Sequence, residues 1–283
     1  MIKKEIVQSA KLTEPEQTKV CSEAHDLLKQ IGADNETAVL MAAGLGQRMR
    51  PLTNDTPKPL IRVFGTPMAE TVINGLQKRG IDEIYVVTGY LGEQFSYLEN
   101  KYPGLKLVRN EEYETVNNIS SVRAVTDIIR GRNVFICEAD LYIPDPSLFD
   151  TLLTGSCYFG KYVAGHSDDW VFDRDDSGYI TRVGKGGNDC YNMCGISYFT
   201  KEDSVILADA IDERYRRPGY EGLFWDEVVN ENLDKLRLRV HPVEACQITE
   251  IDSVAELAEV DEGYKDILYG SARTRVSARE EYR

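Results

Sequence analysis

The feature that most constrains the fold is an alternation of apolar, strand-like runs with helical patterns between Ala38 and Glu138. The strand-like runs are AVLMAAG, IYVVTGY, LKLVRN and NVFICEAD, and helices are predicted at about 68–78, 93–102 and 119–129. Strands that alternate with helices across short connectors form a mostly parallel sheet, whose two faces the helices cover. The alternation therefore predicts an α/β fold with a mixed, mostly parallel sheet and helices on both faces.

The pattern changes at residues 157–199, where short strand-like runs are separated by turns that contain Asp and Gly. This pattern predicts a small antiparallel region, an insertion into or an extension of the α/β unit. Helices are then predicted at about 202–214 and 224–233, followed by a strand pair within 236–245 and a helix that begins at Ser253.

Both ends of the chain differ from this unit. Apolar residues recur at helical spacing between residues 13 and 32, so residues 1–36 are predicted to be an N-terminal helical extension. Residues 37–262 form the predicted α/β domain. Residues 263–283 are charged and lack an apolar face, which leaves open a C-terminal tail or a connector to a further fused domain.

The charge balance restricts the partners. The chain has 33 Lys and Arg against 47 Asp and Glu, a formal net charge of −14. We therefore expect no nucleic-acid partner, and an anionic substrate must meet a local cationic site. No apolar run approaches the length of a membrane span, and the N-terminus lacks the apolar core of a signal peptide. These features predict a cytoplasmic protein without a membrane partner.

The segment from Met41 to Met68 carries the clearest chemical signal. Gly44 and Gly46 follow an apolar strand, where backbone N–H groups can approach a phosphate closely, and Arg48 and Lys58 add cationic donors. The segment lacks a Walker GxxxxGK[ST] pattern. Met49 stands where a dinucleotide-binding fingerprint requires its third glycine.

The longer string GxGxRMxPLTxxxPKPL resembles the sugar-1-phosphate nucleotidyltransferase family. Further motifs resemble its phosphocholine and 2-aminoethylphosphonate cytidylyltransferases: EAD ending at Asp140, NNISS at 117–121, Asp169-Trp170, FWDEVV around Trp225, and EIDS at 250–253. The resemblance covers about residues 38–260. It implies that residues 37–262 are a Rossmann-like nucleotidyltransferase domain, which transfers CMP from CTP to a small phosphate or phosphonate with a cationic head and releases pyrophosphate.

Such a transfer depends on positioning and charge neutralisation, because the acceptor oxygen is already ionised near neutral pH. Arg48 and Lys58 are the predicted catalytic residues. Asp140 follows a strand directly, where open α/β folds place ligands. The resemblance implies that Asp140, Glu250 and Asp252 bind Mg²⁺. An alternative for Asp252 is that it caps the helix that begins at Ser253.

The predicted nucleotide site combines strand ends with one helix start. Its members are residues with small side chains or free backbone groups: Ala42, Ala43, Gly44, Gly46, Gly89, Tyr90, Asn118 and Ser120. For Asn118 and Ser120, helix capping is an equal alternative. The choice of cytosine rests on the resemblance.

The acceptor site is predicted from Trp170 and Trp225, which resemble an aromatic ammonium pocket, and from the neighbouring Asp169 and Asp226. Aromatic faces bind quaternary ammonium, whereas carboxylates also form hydrogen bonds with a primary ammonium. The acidic setting favours 2-aminoethylphosphonate narrowly over phosphocholine. Tyr191 and Lys185 are further expected contacts of the acceptor, in the small antiparallel region that we expect to cover the substrate.

Three alternatives remain open at this level. A phosphocholine cytidylyltransferase comes first, and a sugar-1-phosphate nucleotidyltransferase follows. A regulator that senses nucleotides without turnover belongs to a different functional class. The sequence also leaves open whether the chain forms a homodimer.

Overall fold

The computed structural model describes residues 36–268, so most of the predicted N-terminal extension and of the C-terminal tail lies outside the described residues. The strands are β1 (Glu36–Ala42), β2 (Arg62–Val63), β3 (Thr66–Pro67), β4 (Ile84–Thr88), β5 (Lys106–Arg109), β6 (Asn133–Glu138), β7 (Leu141–Tyr142), β8 (Cys157–Arg174), β9 (Ile180–Phe199), β10 (Arg239–Pro242) and β11 (Thr249–Glu250). The α-helices are α1 (Met68–Arg79), α2 (Tyr97–Lys101), α3 (Ile119–Arg123), α4 (Thr126–Ile129), α5 (Lys201–Tyr215), α6 (Trp225–Asn230) and α7 (Val254–Val260).

Seven strands form the central sheet in the order β10-β8-β9-β6-β1-β4-β5. Strands β5, β4, β1 and β6 run parallel to one another, while β9 is antiparallel to both β6 and β8. The predicted fold class is therefore confirmed: the sheet is mixed and mostly parallel, with an antiparallel region at one side.

Alternate residues of the parallel strands enter two cores, one on each face of the sheet. Ala38 and Leu40 of β1 pack in the core that α1 covers, whereas Val39 packs in the core that α3, α5 and α6 cover. Burial on both faces explains the continuous apolar runs within the central strands β1, β4 and β6.

The region after Cys157 differs from the prediction. In place of several short strands, β8 and β9 form one long antiparallel hairpin with repeated register shifts. The glycines and aspartates that suggested turns lie largely within these irregular strands. The expected strand pair within 236–245 is the single strand β10, which pairs in parallel with β8.

Two parallel strands determine where the loops with polar residues meet. Strands β1 and β6 are adjacent, with Met41 beside Glu138 near their carboxyl ends. The chain leaves β1 towards β4 on one side and reaches β6 on the other, so a crevice opens between these strand ends. The glycine-containing loop after β1 and Asp140 after β6 both lie at this crevice.

Strand β1 is tied to the helical layer by one buried ion pair. Arg79, at the end of α1, donates from Nε and Nη2 to the Glu36 carboxylate at 2.6 and 2.9 Å. Its Nη1 donates to the carbonyl oxygens of Phe149 and Thr151. The side chains of Arg79 and Glu36 are only 11% and 5% exposed. Among residues 36–268, no helix is long and apolar enough to span a membrane.

The buried pair predicts a large loss of stability for Arg79→Met. The substitution keeps the apolar stem but leaves the Glu36 carboxylate without its partner, so we expect the free energy of unfolding to fall by about 3–5 kcal/mol in urea denaturation. Arg217→Met is the matched control, because Arg217 pairs with Glu213 on the surface. The control should change stability by less than about 0.5 kcal/mol. Equal losses in the two variants would contradict the assigned role of Arg79.

Candidate active site

A cleft of about 900 Å³ opens between the carboxyl ends of β1 and β6 and the β8–β9 hairpin. Ligand sites of small molecules occupy about 300–1,000 Å³, so the cleft is large enough for a nucleotide with a small second substrate. Most of the predicted site residues line it: Ala42, Ala43, Gly44, Gly46, Arg48, Lys58, Asn118, Ser120, Asp140, Asp169, Trp170, Asp226, Glu250 and Asp252. Gly89, Tyr90, Tyr191 and Trp225 do not line the cleft.

Lys58 joins three distant chain segments at the base of the cleft. Its Nζ donates to Asp140 Oδ2 and to Asp252 Oδ1, both at 2.5 Å. Burial lowers the pKa of Lys58, but Asp140 and Asp252 outweigh this effect and raise it to about 12. Lys58 therefore remains an ammonium at neutral pH. An ammonium has three N–H donors, and these two bonds leave the third for a further acceptor.

A small apolar cluster beneath the loop brings Lys58 and Asp252 together. Met49 of the loop and Ile251 are both fully buried in this cluster, together with Leu257 of α7. Because Ile251 points into the cluster, Asp252 follows on the cleft side. Burial of Met49 likewise leaves the preceding Arg48 exposed, and Arg48 Nη2 lies 2.9 Å from Asp252 Oδ2.

Asp252 does not cap α7. Ser253 Oγ accepts the backbone N–H of Glu256, while the Glu256 carboxylate accepts the N–H groups of Asp252 and Ser253. This capping box satisfies the free donors at the helix start. The Asp252 carboxylate is thereby left to Arg48 and Lys58, so the capping alternative is wrong.

The loop backbone requires glycine at position 46. Gly46 has φ +58°, and a Cβ placed there would lie 2.9 Å from Lys58 Cβ. Gly44 has open space around its Cα, so its backbone faces the cleft without obstruction. The backbone of Gly44 is therefore accessible to a ligand, whereas Gly46 packs closely against Lys58.

Gly89 and Tyr90 support this loop from behind. Tyr90 N donates to Ala43 O at 3.1 Å, and Tyr90 OH donates to Thr53 O at 2.8 Å. A Cβ on Gly89 would lie 2.6 Å from Ala43 O, so the two segments touch along their backbones. Since neither residue lines the cleft, the structure assigns them to loop support in place of the expected nucleotide contact.

The acidic residues near Lys58 fit a divalent cation. Asp140 Oδ1 is buried and has no hydrogen-bond partner, and carboxylate oxygen is the ligand type that Mg²⁺ prefers. Asp252 adds a second carboxylate to the same junction. No group of three or more His, Cys, Asp or Glu side chains between residues 36 and 268 is arranged as a complete metal cage. Phosphate and water oxygens normally complete the coordination of Mg²⁺.

Glu250 lies at the rim of the same junction. Partial removal of water by the surrounding protein raises the pKa of the Glu250 carboxyl above its ordinary value, and the negative charges of Asp140 and Asp252 raise it further. Because the Glu250 side chain is exposed at the cleft, the removal of water contributes only to a limited extent. The alternation of Glu250, buried Ile251 and Asp252 directs both carboxylates to the cleft, as expected for an extended segment.

Asn118 and Ser120 form part of a polar wall, but neither caps α3 through its side chain. Asn118 Oδ1 accepts the backbone N–H of Trp225, which ties α3 to α6. Ser120 Oγ accepts from Nδ2 of Asn110, a buried residue that follows β5 and also lines the cleft. Asn110 was missed in the sequence, although its place directly after the run LKLVR follows the same strand-end rule as Asp140.

The opposite wall combines aromatic rings with carboxylates. Trp170 of β8 meets Phe224 edge to face, with ring centroids 5.3 Å apart. Asp169, next to Trp170, accepts a hydrogen bond from Asn192 Nδ2 at 3.0 Å. Lys185 also lines this wall, as expected. Asn192 was not predicted, because no local pattern shows which residues of a bulged hairpin face inwards. Phe224 was not predicted either, because it precedes α6 and belongs to no periodic pattern that indicates the direction of its side chain.

Two aromatic predictions are corrected. Trp225 is only 3% exposed and stacks on Tyr158 in the core, with centroids 5.9 Å apart. The residues Trp225, Val228 and Val229 form the buried stripe of α6 at i, i+3 and i+4, so Trp225 is needed for packing. Phe224, immediately before the helix, stands at the cleft instead.

Tyr191 also lies away from the cleft. Its ring packs against Tyr162 with centroids 5.5 Å apart, and the Arg174 guanidinium lies 4.6 Å from its centroid. The neighbouring Asn192 reaches the cleft because adjacent residues of a strand point to opposite faces.

Asp226 is a buried carboxyl at the floor of the cleft. It is 3% exposed and accepts a hydrogen bond from Tyr158 OH at 2.9 Å. Burial raises the pKa of Asp226 to about 7, although the bond from Tyr158 opposes the shift. Asp226 therefore changes its charge near neutral pH.

Comparison with known proteins identifies the family to which the chain is similar. Residues 38–268 match the sequence profile of the MobA-like NTP transferase domain. The chain is 54% identical over 241 residues to the 2-aminoethylphosphonate cytidylyltransferase of Lancefieldella rimae, covering 85% of this chain and 98% of that protein. It is 33% identical over 229 residues to the choline-phosphate cytidylyltransferase of Streptococcus pneumoniae, covering 81% and 98%. The solved structure of the CTP:phosphocholine cytidylyltransferase from Streptococcus pneumoniae superposes with a TM-score of 0.74 at 32% identity, over 81% of this chain and 98% of that one.

The Lys58 junction predicts that Lys58→Met creates a vacancy for a divalent cation. Without the ammonium, Asp140 and Asp252 repel each other, so we expect the thermal midpoint to fall by about 3–10 °C in the absence of divalent ions. Millimolar Mg²⁺ should restore most of this loss. Lys101→Met is the control, because Lys101 pairs with the single carboxylate Glu70. If Mg²⁺ stabilises the two variants equally, the carboxylate pair is not a cation site.

Asp226 predicts a pH-dependent stability. Its native pKa of about 7 exceeds the ordinary value of 3.8, so between these values the folded protein binds this proton more tightly than the unfolded chain. The contribution of Asp226 to stability should therefore fall as the pH rises from about 4 to 7, and remain low above 7. Asp226→Asn avoids this loss, which amounts to as much as about 4 kcal/mol.

Urea denaturation at pH 4.5, 6 and 8 measures the effect as the difference between Asp226→Asn and the unsubstituted protein. The difference should grow with pH in favour of the variant. Asp176→Asn, at an exposed position in the turn between β8 and β9, should follow the unsubstituted protein at each pH. Parallel pH profiles for Asp226→Asn and the unsubstituted protein would contradict the raised pKa.

Proposed function

The chain belongs to the MobA-like NTP transferase domain family, and on that premise we propose that it transfers CMP from CTP to 2-aminoethylphosphonate in the presence of Mg²⁺. The family membership also confirms the resemblance that the sequence motifs predicted, and the chain is a nucleotidyltransferase. In the proposed reaction an ionised phosphonate oxygen forms a bond to the α-phosphorus of CTP. The bond from that phosphorus to the bridging oxygen breaks, and pyrophosphate leaves.

The observation that carries this proposal is the junction of Lys58, Asp140 and Asp252 beside the Gly44–Gly46 loop. Transfer of a nucleotidyl group concentrates negative charge on the triphosphate. The positive charges of Lys58 and the exposed Arg48 can neutralise part of this charge. Asp140 and Asp252 would hold the divalent cation, which when bound neutralises phosphate charge and aligns the reacting groups. Because the acceptor oxygen is already ionised, the reaction needs no protein base.

The cleft supplies each role from a different element. The loop after β1 presents backbone groups at Gly44 for the phosphates. The wall formed by Asn110, Asn118 and Ser120 offers polar groups for the base. Ion pairs between Arg48, Lys58, Asp140 and Asp252 hold the junction in place, and this fits a reaction that depends on where the phosphates are held.

The acceptor is assigned from the wall that contains Asp169 and Trp170. Carboxylates at Asp169 and Asp226, with the nearby amide of Asn192, suit an ammonium that can donate hydrogen bonds. The 54% identity to a protein named 2-aminoethylphosphonate cytidylyltransferase supports the same choice. Phosphocholine is the second candidate, because Trp170 and Phe224 present aromatic faces at the same wall.

Pyrophosphate release tests the proposal. CTP and Mg²⁺ are offered with 2-aminoethylphosphonate, phosphoethanolamine, phosphocholine and glucose 1-phosphate in parallel, and kcat/KM is measured for each. We expect 2-aminoethylphosphonate to be preferred by at least about tenfold. A preference for phosphocholine would indicate that Trp170 and Phe224 bind a quaternary ammonium. Turnover of glucose 1-phosphate alone would indicate that the acceptor is a sugar phosphate. Tight CTP binding without turnover of any acceptor would indicate a nucleotide sensor.

The same assay tests the carboxylate role. Asp140→Asn keeps the side-chain size but removes a charge from the cation site, so we expect kcat/KM to fall by at least about 100-fold with the fold retained in circular dichroism. Asp176→Asn again serves as the exposed control and should retain full activity. An unchanged rate for Asp140→Asn would remove Asp140 from the metal site.

A further inference from the structure

The aromatic corner of the acceptor wall already holds an ammonium that belongs to the chain. Lys185 of β9 lies directly across from Trp170 of β8 in the hairpin. Its Nζ is 5.9 Å from the ring centroid of Trp170 and 5.7 Å from that of Phe224. All three residues line the cleft. Both distances are within the range in which a cation is attracted by an aromatic face.

We propose that Lys185 determines the acceptor class, because its ammonium takes the aromatic face that a quaternary ammonium needs and so directs the enzyme towards primary amines. This inference rests on the proposed cytidylyltransferase function and deepens it. Lys185 acts here as a specificity residue that competes with one class of substrate head. It takes no part in bond formation.

The competition follows from the chemistry of the two head groups. A trimethylammonium has no N–H donor, so its attraction to the cleft comes from aromatic faces and from general charge. To reach Trp170 and Phe224 it must displace the Lys185 ammonium or lie beside a like charge. A primary ammonium has three N–H donors, so it can bind to oxygen acceptors away from the rings and does not need an aromatic face.

Such acceptors are present beside Trp170. Asn192 Nδ2 donates to Asp169 Oδ2, and this bond fixes the orientation of the amide, since the reverse orientation would bring two acceptor oxygens together. Asn192 Oδ1 is then left buried without a hydrogen-bond partner. A buried acceptor of this kind is stabilised by any donor that reaches it. A primary ammonium supplies such a donor, and a trimethylammonium does not.

The charges around Lys185 support the same division. Asp168 and Asp169 lie on the adjacent strand and line the cleft, together with Asp226 at its floor. Lys185 is the cation within reach of the two rings among the contacts of the described residues. Removing its charge therefore leaves an aromatic pair within an acidic cleft, which is the setting that a quaternary ammonium binds.

Lys185→Met and Lys185→Arg test the proposal as a matched pair. Methionine keeps the length of the side chain without its charge, whereas arginine keeps the charge. The quantity measured is kcat/KM for phosphocholine divided by kcat/KM for 2-aminoethylphosphonate, at saturating CTP. We expect Lys185→Met to raise this ratio by at least about tenfold, and Lys185→Arg to stay within about threefold of the unsubstituted enzyme. A ratio within threefold for Lys185→Met would overturn the proposal.

A binding measurement separates this proposal from the catalytic one. Trp225 is buried in the core, so fluorescence changes on addition of phosphocholine, without CTP, report on Trp170. We expect the Kd for phosphocholine to decrease by at least about fivefold in Lys185→Met and to remain unchanged in Lys185→Arg. If the unsubstituted protein turns over no acceptor but the Kd shifts as expected, the cytidylyltransferase proposal fails, and only the exclusion of a quaternary ammonium from the aromatic pair by Lys185 stands. An unchanged Kd in Lys185→Met, with normal turnover, overturns the role of Lys185 alone.

Asn192→Ala tests where the primary ammonium binds. Loss of the amide removes the unpaired acceptor, so we expect kcat/KM for 2-aminoethylphosphonate to fall by at least about tenfold, mainly through KM, with a smaller fall for phosphocholine. Equal falls for both acceptors would indicate a structural role for Asn192 and contradict its part in the selection.

Discussion

The interaction on which the rest of the site depends is the bond of one buried ammonium to two carboxylates from distant segments. Lys58 follows β1, Asp140 follows β6, and Asp252 precedes α7, yet all three meet at distances of 2.5 Å. Without the ammonium, the two carboxylates would lie close together in a partly buried cleft, where like charges are costly. Lys58 therefore holds the acidic residues in place while one of its donors remains for a phosphate oxygen.

This junction also shows how an acidic protein handles anionic substrates. The chain carries a net charge of −14, so the protein as a whole repels a triphosphate. Arg48 and Lys58 reverse the sign locally, and the acidic groups beside them suit a cation that would enter with the phosphates. The wall around Trp170 uses the opposite sign, with Asp169 and Asp226 facing the cleft. One cleft thus combines a site for phosphate charge with a site for an ammonium.

The packing explains which site residues could be predicted from sequence. Gly44, Gly46 and Asp140 directly follow or lie near strand ends, and strand ends in a parallel sheet meet at one edge. Lys58 lies further along the chain from β1 and was predicted as a cationic residue of the same motif. Trp225 was placed incorrectly, because a tryptophan beside an acidic residue looks the same whether it faces a ligand or the core. Only the helical stripe formed with Val228 and Val229 decides in favour of the core. Asn192 carried no local signal, since the bulged hairpin breaks the strand alternation that would have revealed it. Phe224 lies directly before α6, where neither helical nor strand periodicity indicates the direction of its side chain.

The sequence by itself determined the alternation of strands and helices between residues 38 and 138, the burial of the central parallel strands on both faces, and the position of the glycine-containing loop. These features depend on local periodicity and on the backbone freedom of glycine, which short segments of sequence express. Only the tertiary structure decided that Lys58 bridges Asp140 and Asp252, that Phe224 takes the cleft position expected for Trp225, and that Lys185 covers the aromatic pair. Those outcomes depend on contacts between residues far apart in the chain, which are set by how the elements pack and not by the pattern within any one of them.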